Sequence, residues 1–219
     1  MRILALDAAL ARCSVAVLAD GVVLAHEAVR AARGQAAVLA PMAARVLDQA
    51  GFLATALDGI AVTVGPGSFA GLRAALSLAH GIALAAGCQV VGVRVAEALA
   101  ETIALPVGRA LWVVIDSRRG RIFLDRDGGI VPFAVADLPR PAVPIALAGD
   151  AANEVAARLA ACGDNVMLTG AVLPDAIAVA RVGARRLSGS LAPLAAQPLY
   201  IDPPEAKLPA GGLRPAPRP

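Results

Sequence analysis

Hydrophobic residues at the start of the chain come in short runs that are separated by turn signals. Residues 2–7, 13–19 and 22–29 form three such runs, each with the length and composition of a strand. The dipeptide Asp20-Gly21 between the last two runs is a strong hairpin signal. We therefore predict that the chain opens with three antiparallel strands.

The hydrophobic spacing then changes to that of a helix over residues 35–50. The predicted inward face consists of Leu39, Met42, Ala43, Val46 and Ala50. Pro41 lies early in this segment, and we expect it to kink the helix or to mark its true start. Gly51 follows the last periodic residue and is expected to end the helix.

The next part of the chain alternates between strand-like and helix-like segments. Residues 59–64 are predicted to be a buried strand, which the glycine-rich segment GPGSFAGLR, residues 65–73, connects to a helix ending near residue 86. A strand at 90–93 and a helix at 96–104 follow. The first half of the chain therefore has the predicted order βββαβαβα.

The second half repeats this order with one helix missing. The predicted strands are residues 111–116, 121–125, 130–135, 143–147 and 166–168, and the predicted helices are residues 151–161 and 175–187. A proline-rich link that contains Pro139, Pro141 and Pro144 takes the place of the first helix. The order βββ-βαβα predicts an α/β fold made of two halves, the second reduced.

These patterns divide the chain into two halves and a tail. We place the first half at residues 1–104 and the second at 105–202, and we expect the last helix to pack back on the first half. Residues 203–219 contain six prolines and are predicted to be an extended or disordered tail.

Composition narrows the classes of function. The chain has 219 residues, of which 58% are hydrophobic and only 3% aromatic, so a disordered chain and a nucleic-acid reader that stacks bases on aromatic rings are both disfavoured. Lys207 is the single lysine, which excludes a GxxxxGK[ST] phosphate loop. Because arginine supplies the other basic residues, we attribute the net charge of +3 to biased base composition and not to nucleic-acid binding.

Cysteine and histidine are scarce, so we expect neither a disulfide framework nor a metal site. Cys13, Cys88 and Cys162 lie far apart and contain no CxxC pair, as is typical of free thiols in a reducing compartment. The two histidines, His26 and His80, are also widely separated. We expect a cytoplasmic protein without a signal peptide.

One uncharged stretch of twenty residues, 74–93, has the length of a membrane span. It is rich in alanine and contains glycine, serine, glutamine and histidine, whereas a spanning helix is normally richer in Leu, Ile and Val. We interpret it as a buried helix followed by a short strand and expect no membrane contact.

The glycine-rich segment has two interpretations. Gly65, Gly67 and Gly71 permit positive φ and close backbone approach, and the following helix start could bind an anion. Alternatively, Ser68 caps the helix and the glycines form a tight turn.

Asp7 and Asp116 each end the first strand of a half, where they could hold a metal–nucleotide between the halves or simply cap turns. Asp7, Gly65, Gly67, Ser68 and Asp116 are thus the candidate nucleotide-binding residues.

A basic turn beside Asp116 contains Arg118, Arg119 and Arg121. It could contact RNA phosphates, or it could be a solvated hairpin tip. We expect His80 to lie in solvent or at an interface, because no carboxylate near it in the sequence would orient it for catalysis.

Five segments resemble one family of proteins: RILALDAALARCSVAVLADG, GPGSFAGLR, VGVRVAEALA, VIDSRRGRIF and PLYIDPPEAK. They are similar to the TsaB family, formerly called YeaZ, whose members are the dimerisation subunit of the bacterial complex that makes threonylcarbamoyladenosine in tRNA. The resemblance covers residues 3 to about 207. It implies the duplicated actin/Hsp70-like ATPase fold, which is ribonuclease H-like.

The resemblance also implies a function and partners. TsaB is a non-catalytic subunit that binds and activates TsaD, the enzyme that transfers the threonylcarbamoyl group to N6 of the adenosine beside the anticodon, and TsaE joins the larger complex. TsaD uses an HxxxH metal motif, and alignment through Glu97 places those positions at Val95 and Leu99, which cannot bind a metal. We therefore expect no catalytic residue, no cofactor and only indirect or weak contact with tRNA.

Three departures from the family pattern remove polar groups from the nucleotide cleft of the fold. The usual LDTST is LDAAL here, so Ala8 and Leu10 lack hydroxyls, Gln35 replaces a histidine, and Ala70 replaces a threonine. An autonomous ATP-dependent phosphotransferase of the same fold is the alternative function, and tight binding of ATP by the isolated chain would favour it.

The predicted partner surface lies on the two helices of the first half. These helices carry more apolar residues than one buried stripe needs, including Leu47, and the resemblance implies that TsaD binds there. The predicted interface residues are Val38, Met42, Arg45, Ala74, Leu78 and Leu84. The same surface is expected to form a homodimer when TsaD is absent.

Overall fold

The first half contains a mixed five-stranded sheet. A computed structural model describes residues 1–30 and 34–201 of the chain. The strands are β1 (Arg2–Asp7), β2 (Arg12–Ala19), β3 (Val22–Arg30), β4 (Gly59–Gly65) and β5 (Gln89–Arg94). Their order is β3-β2-β1-β4-β5; β1, β2 and β3 are antiparallel, and β4 and β5 run parallel to β1. The predicted three-stranded start is confirmed.

Three helices belong to the first half: α1 (Gln35–Ala50), α2 (Phe69–Ala86) and α3 (Val95–Ala100). A short 3-10 helix, Ala54–Ala56, precedes β4. Pro41 lies inside α1, which begins at Gln35 after Gly34. Of the two alternatives for Pro41, the one in which it marks the helix start is therefore wrong. The helix α3 is shorter than predicted, because the backbone N–H and the hydroxyl of Thr102 both donate to the Leu99 carbonyl and close a turn.

The second half repeats the strand order of the first. Its strands are β6 (Ala110–Asp116), β7 (Ile122–Arg126), β8 (Gly129–Phe133), β9 (Ile145–Ala148) and β10 (Val166–Leu168), and its helices are α4 (Ala152–Ala161) and α5 (Ala176–Leu187). The order β8-β7-β6-β9-β10 matches that of the first sheet. The predicted duplicated α/β fold of the actin/Hsp70 kind is confirmed. A 3-10 turn, Val135–Asp137, lies in the proline-rich link that replaces the first helix.

The first sheet is covered on both faces. α1 and α2 pack on one face, and α5, although it comes last in sequence, packs on the other. Gly183 of α5 lets the helix approach closely, because a Cβ at this position would lie 2.3 Å from the Cβ of Ala61. In the second half, α4 covers one face of the sheet, and the other face turns towards the first half.

Within the described residues, α2 is long and apolar enough to cross a membrane by length and composition. In the fold its inward residues pack on β4 and β1; they include Ala75, Leu76, Ala79 and Ala83. The predicted tail, residues 203–219, lies outside the described residues.

Candidate functional site

The glycine-rich loop packs directly on the turn after β1. The backbone N–H of Ser68 donates to the Ala9 carbonyl at 2.7 Å, and a Cβ on Gly67 would lie 2.2 Å from that same oxygen. Only Gly65 has a left-handed backbone, with φ of 121°, and Gly71 lies within the first turn of α2. Gly65 thus provides the positive φ, and Gly67 allows the close backbone approach.

Ser68 is the N-cap of α2. Its hydroxyl accepts from the Gly71 N–H at 3.2 Å. A helix start can bind an anion only through N–H groups that have no other acceptor. Here the chain itself engages the N–H groups of Ser68 and Gly71, as expected if Ser68 caps the helix.

Asp7 is fully buried beside this loop. Its Oδ1 accepts from the Thr63 hydroxyl at 2.8 Å and from the Ala9 N–H at 3.2 Å, whereas Oδ2 has no hydrogen-bond partner among the residues that the structure describes. Burial raises the pKa of Asp7 to about 7, because the charged form is desolvated. Asp7 therefore lies beneath the surface.

Asp116 belongs to a separate charged group at the end of β6. Its carboxylate accepts from the Arg118 N–H at 2.7 Å and pairs with the Arg118 guanidinium at 3.1 Å. The same guanidinium reaches Asp150 at 2.9 Å, and burial raises the pKa of Asp150. No hydrogen bond or ion pair joins Asp7 to Asp116 in the described chain, and Arg118 of the basic turn is already paired with carboxylates.

A hydrophobic cluster lies between the two halves, and we call it the junction. It contains buried residues of the first half, Ala9, Leu10, Leu72, Val95, Ala96 and Leu99, and of the second, Val113, Ile115 and Ala148. Leu10 comes from the turn after β1, and Val95 and Leu99 come from α3. The junction thus packs apolar side chains of the two halves against one another.

An ion pair also crosses the junction. The guanidinium of Arg94, at the end of β5, pairs with Asp125 on β7 and donates to the Gly128 carbonyl at 3.0 Å. Burial raises the pKa of Asp125 even though Arg94 opposes this effect. A cavity of about 270 Å³ beside the pair is lined by Arg94, Glu97 and Asp125 among others. Sequence reasoning missed this pair, because 31 positions separate its members.

The predicted partner residues differ in exposure. Leu84 is 87% exposed, Val38 is 36% exposed, and Arg45 is an exposed residue that pairs with Glu27. Met42, in contrast, is only 1% exposed, so its inclusion in the surface was wrong. Leu47 is buried as well. Met42 lies on the predicted inward stripe, whereas Leu47 enters the core because α1 contacts β2, β3 and α2 at once and so buries more than one stripe.

The remaining candidate groups are the two histidines and the three cysteines. The His80 ring nitrogen Nε2 bonds the Ala196 carbonyl at 2.9 Å, and His26 lies 3.0 Å from an oxygen of Asp175. Cys13, Cys88 and Cys162 are free. Within residues 1–30 and 34–201, no group of three or more His, Cys, Asp or Glu side chains could hold a metal ion.

Comparison with known proteins adds the family. Residues 28–159, more than half of the chain, match the model of the family described as "TsaD: tRNA N6-adenosine threonylcarbamoyltransferase". The chain belongs to the TsaD family. It is 35% identical over 124 residues to the tRNA threonylcarbamoyladenosine biosynthesis protein TsaB of Escherichia coli, and this match covers 56% of the chain and 53% of TsaB.

The chain is also similar to a threonylcarbamoyltransferase and to solved structures of YeaZ. A TsaD-family enzyme, the tRNA N6-adenosine threonylcarbamoyltransferase of Maricaulis maris, is 38% identical over 105 residues, which are 43% of the chain and 28% of that enzyme. The solved structure of YeaZ from Pseudomonas aeruginosa superposes with a TM-score of 0.75 at 26% identity and covers 91% of the chain and 99% of YeaZ. The predicted resemblance to TsaB/YeaZ is confirmed. The chain spans about half, or less, of the curated relatives it matches.

The junction coincides with the metal positions that the resemblance assigned to TsaD. Val95 and Leu99 are both fully buried among apolar neighbours, and neither side chain has a donor atom for a metal. Leu10, which replaces a hydroxyl residue of the TsaB pattern, lies in the same cluster. The residues present therefore do not fit the metal that the family motif implies.

Proposed function

We propose that this chain is a non-catalytic subunit of the assembly that makes threonylcarbamoyladenosine in tRNA. In this role it binds TsaD and activates the transfer of the threonylcarbamoyl group to N6 of the adenosine beside the anticodon, and TsaE joins the larger complex. The membership of the TsaD family and the likeness to TsaB support this role. The non-catalytic part of the proposal rests on one observation: the junction consists of buried apolar side chains.

An apolar junction opposes catalysis for two physical reasons. A metal needs nitrogen, oxygen or sulfur donors, and the motif positions Val95 and Leu99 supply only carbon. A substrate or nucleotide at these motif positions would have to displace buried apolar side chains, and each such side chain contributes roughly 1.5–3 kcal/mol by its burial. Arg94 and Asp125 would also each be left without an ion-pair partner if the halves separated there.

The exposed face of α1 and α2 supports the partner role. Small residues on this face include Ala36, Ala40, Ala44, Ala70, Ala74 and Gly81. Such residues let another helix approach closely and lose little side-chain entropy on docking. We infer that TsaD covers this face, that two copies pair through it when TsaD is absent, and that tRNA is reached through TsaD in the cytoplasm.

Isothermal titration with TsaD from the same organism tests the proposal. We expect binding by the wild-type chain. Ala74→Arg, on the face, should weaken it by tenfold or more, roughly the effect of an unpaired charge in a contact. Val131→Arg, on the exposed edge strand β8, is the matched control and should bind like wild type. Absence of wild-type binding would contradict the proposal.

The alternative function is examined by titrating the isolated chain with ATP and Mg²⁺. We expect no heat of binding, because Ala8, Leu10 and Ala70 lack the hydroxyl groups of the family pattern. Tight binding together with phosphate transfer would favour the autonomous phosphotransferase instead.

A further inference from the structure

After α5 the chain returns to the first half as an irregular segment, residues 192–201, which we call the C-terminal strap. Three hydrogen bonds hold it there. The Gly92 N–H of β5 donates to the Leu194 carbonyl at 2.8 Å, the Leu199 N–H donates to the Val64 carbonyl at 2.8 Å, and His80 of α2 bonds the Ala196 carbonyl at 2.9 Å. The strap therefore ties the edge of the first sheet to α2.

The sheet is shaped to receive the strap. A Cβ at Gly92 would lie 2.6 Å from the Ala195 carbonyl oxygen, closer than any ordinary contact, so a glycine is needed for the strap to lie there. Ala196 is buried in the same core as α1 and α2. These contacts place the last described residues of the chain beside the first turn of α2.

The strap ends in a group of three exposed side chains. The Arg73 guanidinium stacks 3.7 Å from the ring centre of Phe69 and donates to the Tyr200 hydroxyl at 3.0 Å. Phe69 is 62% exposed and Tyr200 is 61% exposed, although the chain has only six aromatic residues. We call these three residues the aromatic–arginine anchor.

The anchor is organised before any partner arrives. Stacking and the phenol hydrogen bond restrict an arginine that would otherwise lose rotamer freedom on binding. Arg73 is the one formally charged residue of α2, and no carboxylate pairs with it in residues 1–30 and 34–201. Arginine, tyrosine and other aromatic residues are also the types that dominate binding energy at protein interfaces.

We propose that the aromatic–arginine anchor is the centre of the contact with TsaD and that Arg73 pairs there with a carboxylate on a helical face of TsaD. Phe69 and Tyr200 supply the apolar contact around this pair, and Tyr200 acts as a positioning residue for Arg73. The inference rests on the proposed function.

Two observations favour TsaD over a second copy of this chain. The family match to TsaD includes α1 and α2, so TsaD carries equivalent helices that can pack against these. A two-fold contact between copies would present the same surface from both sides. In such a contact α2 has no carboxylate to offer to Arg73, and the one carboxylate of α1, Asp48, lies in its last turn.

The test measures affinity for TsaD from the same organism in the full-length chain. Arg73→Gln should weaken binding by roughly ten- to a hundredfold, as truncation at an interface centre does, and should reduce the salt dependence of Kd. Tyr200→Phe, which removes only the hydroxyl, should weaken binding by about threefold to tenfold. In the Arg73→Gln background, Tyr200→Phe should have no further effect, because a positioning role acts only through Arg73.

Arg126→Gln is the matched control, since Arg126 also lies over an aromatic ring, that of Trp112, at 5.0 Å in the second half. It should bind TsaD like wild type, and circular dichroism should show the same melting temperature for Tyr200→Phe and wild type. If wild type binds TsaD and Ala74→Arg abolishes binding while Arg73→Gln and Tyr200→Phe do not weaken it, the anchor is wrong and the proposed function stands. Effects confined to self-association, or to binding of tRNA, would equally overturn the anchor. Failure of wild type to bind TsaD would overturn both.

Discussion

The junction and the α1–α2 face are both apolar, yet they differ in side-chain size and exposure. The junction contains large side chains such as Leu10, Leu99 and Ile115, all buried between the halves. The face displays mainly alanine and glycine, with Phe69 and Leu84 standing out into solvent. The first region holds the two halves together through buried side chains, whereas the second leaves a surface that another helix can cover.

The two regions therefore contribute to the protein in different ways. Burial of apolar side chains at the junction stabilises the chain. On the α1–α2 face, small residues contribute little to the stability of the chain alone and keep the helix backbone accessible. Substitutions in the two regions should therefore affect different properties, namely stability and association.

The largest expected effect is on stability at the junction. Leu99→Ala should lower the free energy of unfolding by about 2–5 kcal/mol, because it leaves a cavity between the halves. Leu84→Ala on the face should change it by less than about 0.5 kcal/mol, since this side chain is 87% exposed. Urea denaturation of the two variants measures the contrast, and equal effects would show that the regions do not differ as described.

A second contrast uses two glycines. Gly67→Ala should destabilise by about 1–3 kcal/mol, because its Cβ would overlap the Ala9 carbonyl. Gly81→Ala, in α2 with nothing within 4 Å of the new Cβ, should stabilise the chain by up to about 1 kcal/mol. Thermal melting of both variants is the measurement. A Gly67→Ala protein that melted like wild type would mean that the loop does not pack tightly on the turn after β1.

The smallest expected effect concerns the buried carboxyl beside the junction. The folded-state pKa of Asp7 is raised to about 7 from a usual value of 3.8, so between these values the folded chain holds a proton that the unfolded chain has released. The stabilisation that protonated Asp7 contributes to the folded chain is therefore at its full value below about pH 4, and it is lost as the pH rises towards 7.

Comparison of wild type with Asp7→Asn isolates this contribution. We subtract the unfolding free energy of the variant from that of wild type. This difference should fall by about 1.4 kcal/mol when the pH is raised from 5 to 6. Asp125 and Asp150, whose pKa values burial also raises, add slopes of the same sign in both proteins and so cancel. Urea titrations at the two pH values measure this difference, and parallel behaviour of the two proteins would contradict the burial of Asp7.

Hydrophobic spacing and turn residues predicted most of the fold, because most helices and strands are marked by the residues within or next to them. The helix α1 and strand β10 were placed at their observed bounds, and Asp20-Gly21 marked the hairpin between β2 and β3. The junction could not be derived this way. Leu10, Val95 and Ile115 come from separate elements, and no local rule states that they meet.

The surface was harder to predict than the core pattern for a related reason. Helical periodicity gives the direction of one buried stripe, and it placed Leu39 and Val46 correctly in the core. It does not reveal that α1 also packs against α2, which buries Leu47 as well. The contact of Tyr200 with Arg73 spans 127 positions and has no signal in local spacing.

The most direct test of the account is threonylcarbamoyladenosine formation on tRNA by purified TsaD, supplied with threonylcarbamoyl-adenylate, as this chain is added. We predict no product from the chain alone and an activity of TsaD that rises until the two proteins are equimolar. Product formed by the chain without TsaD, or TsaD activity that does not respond to the chain, would contradict the claim that it is a non-catalytic activating subunit.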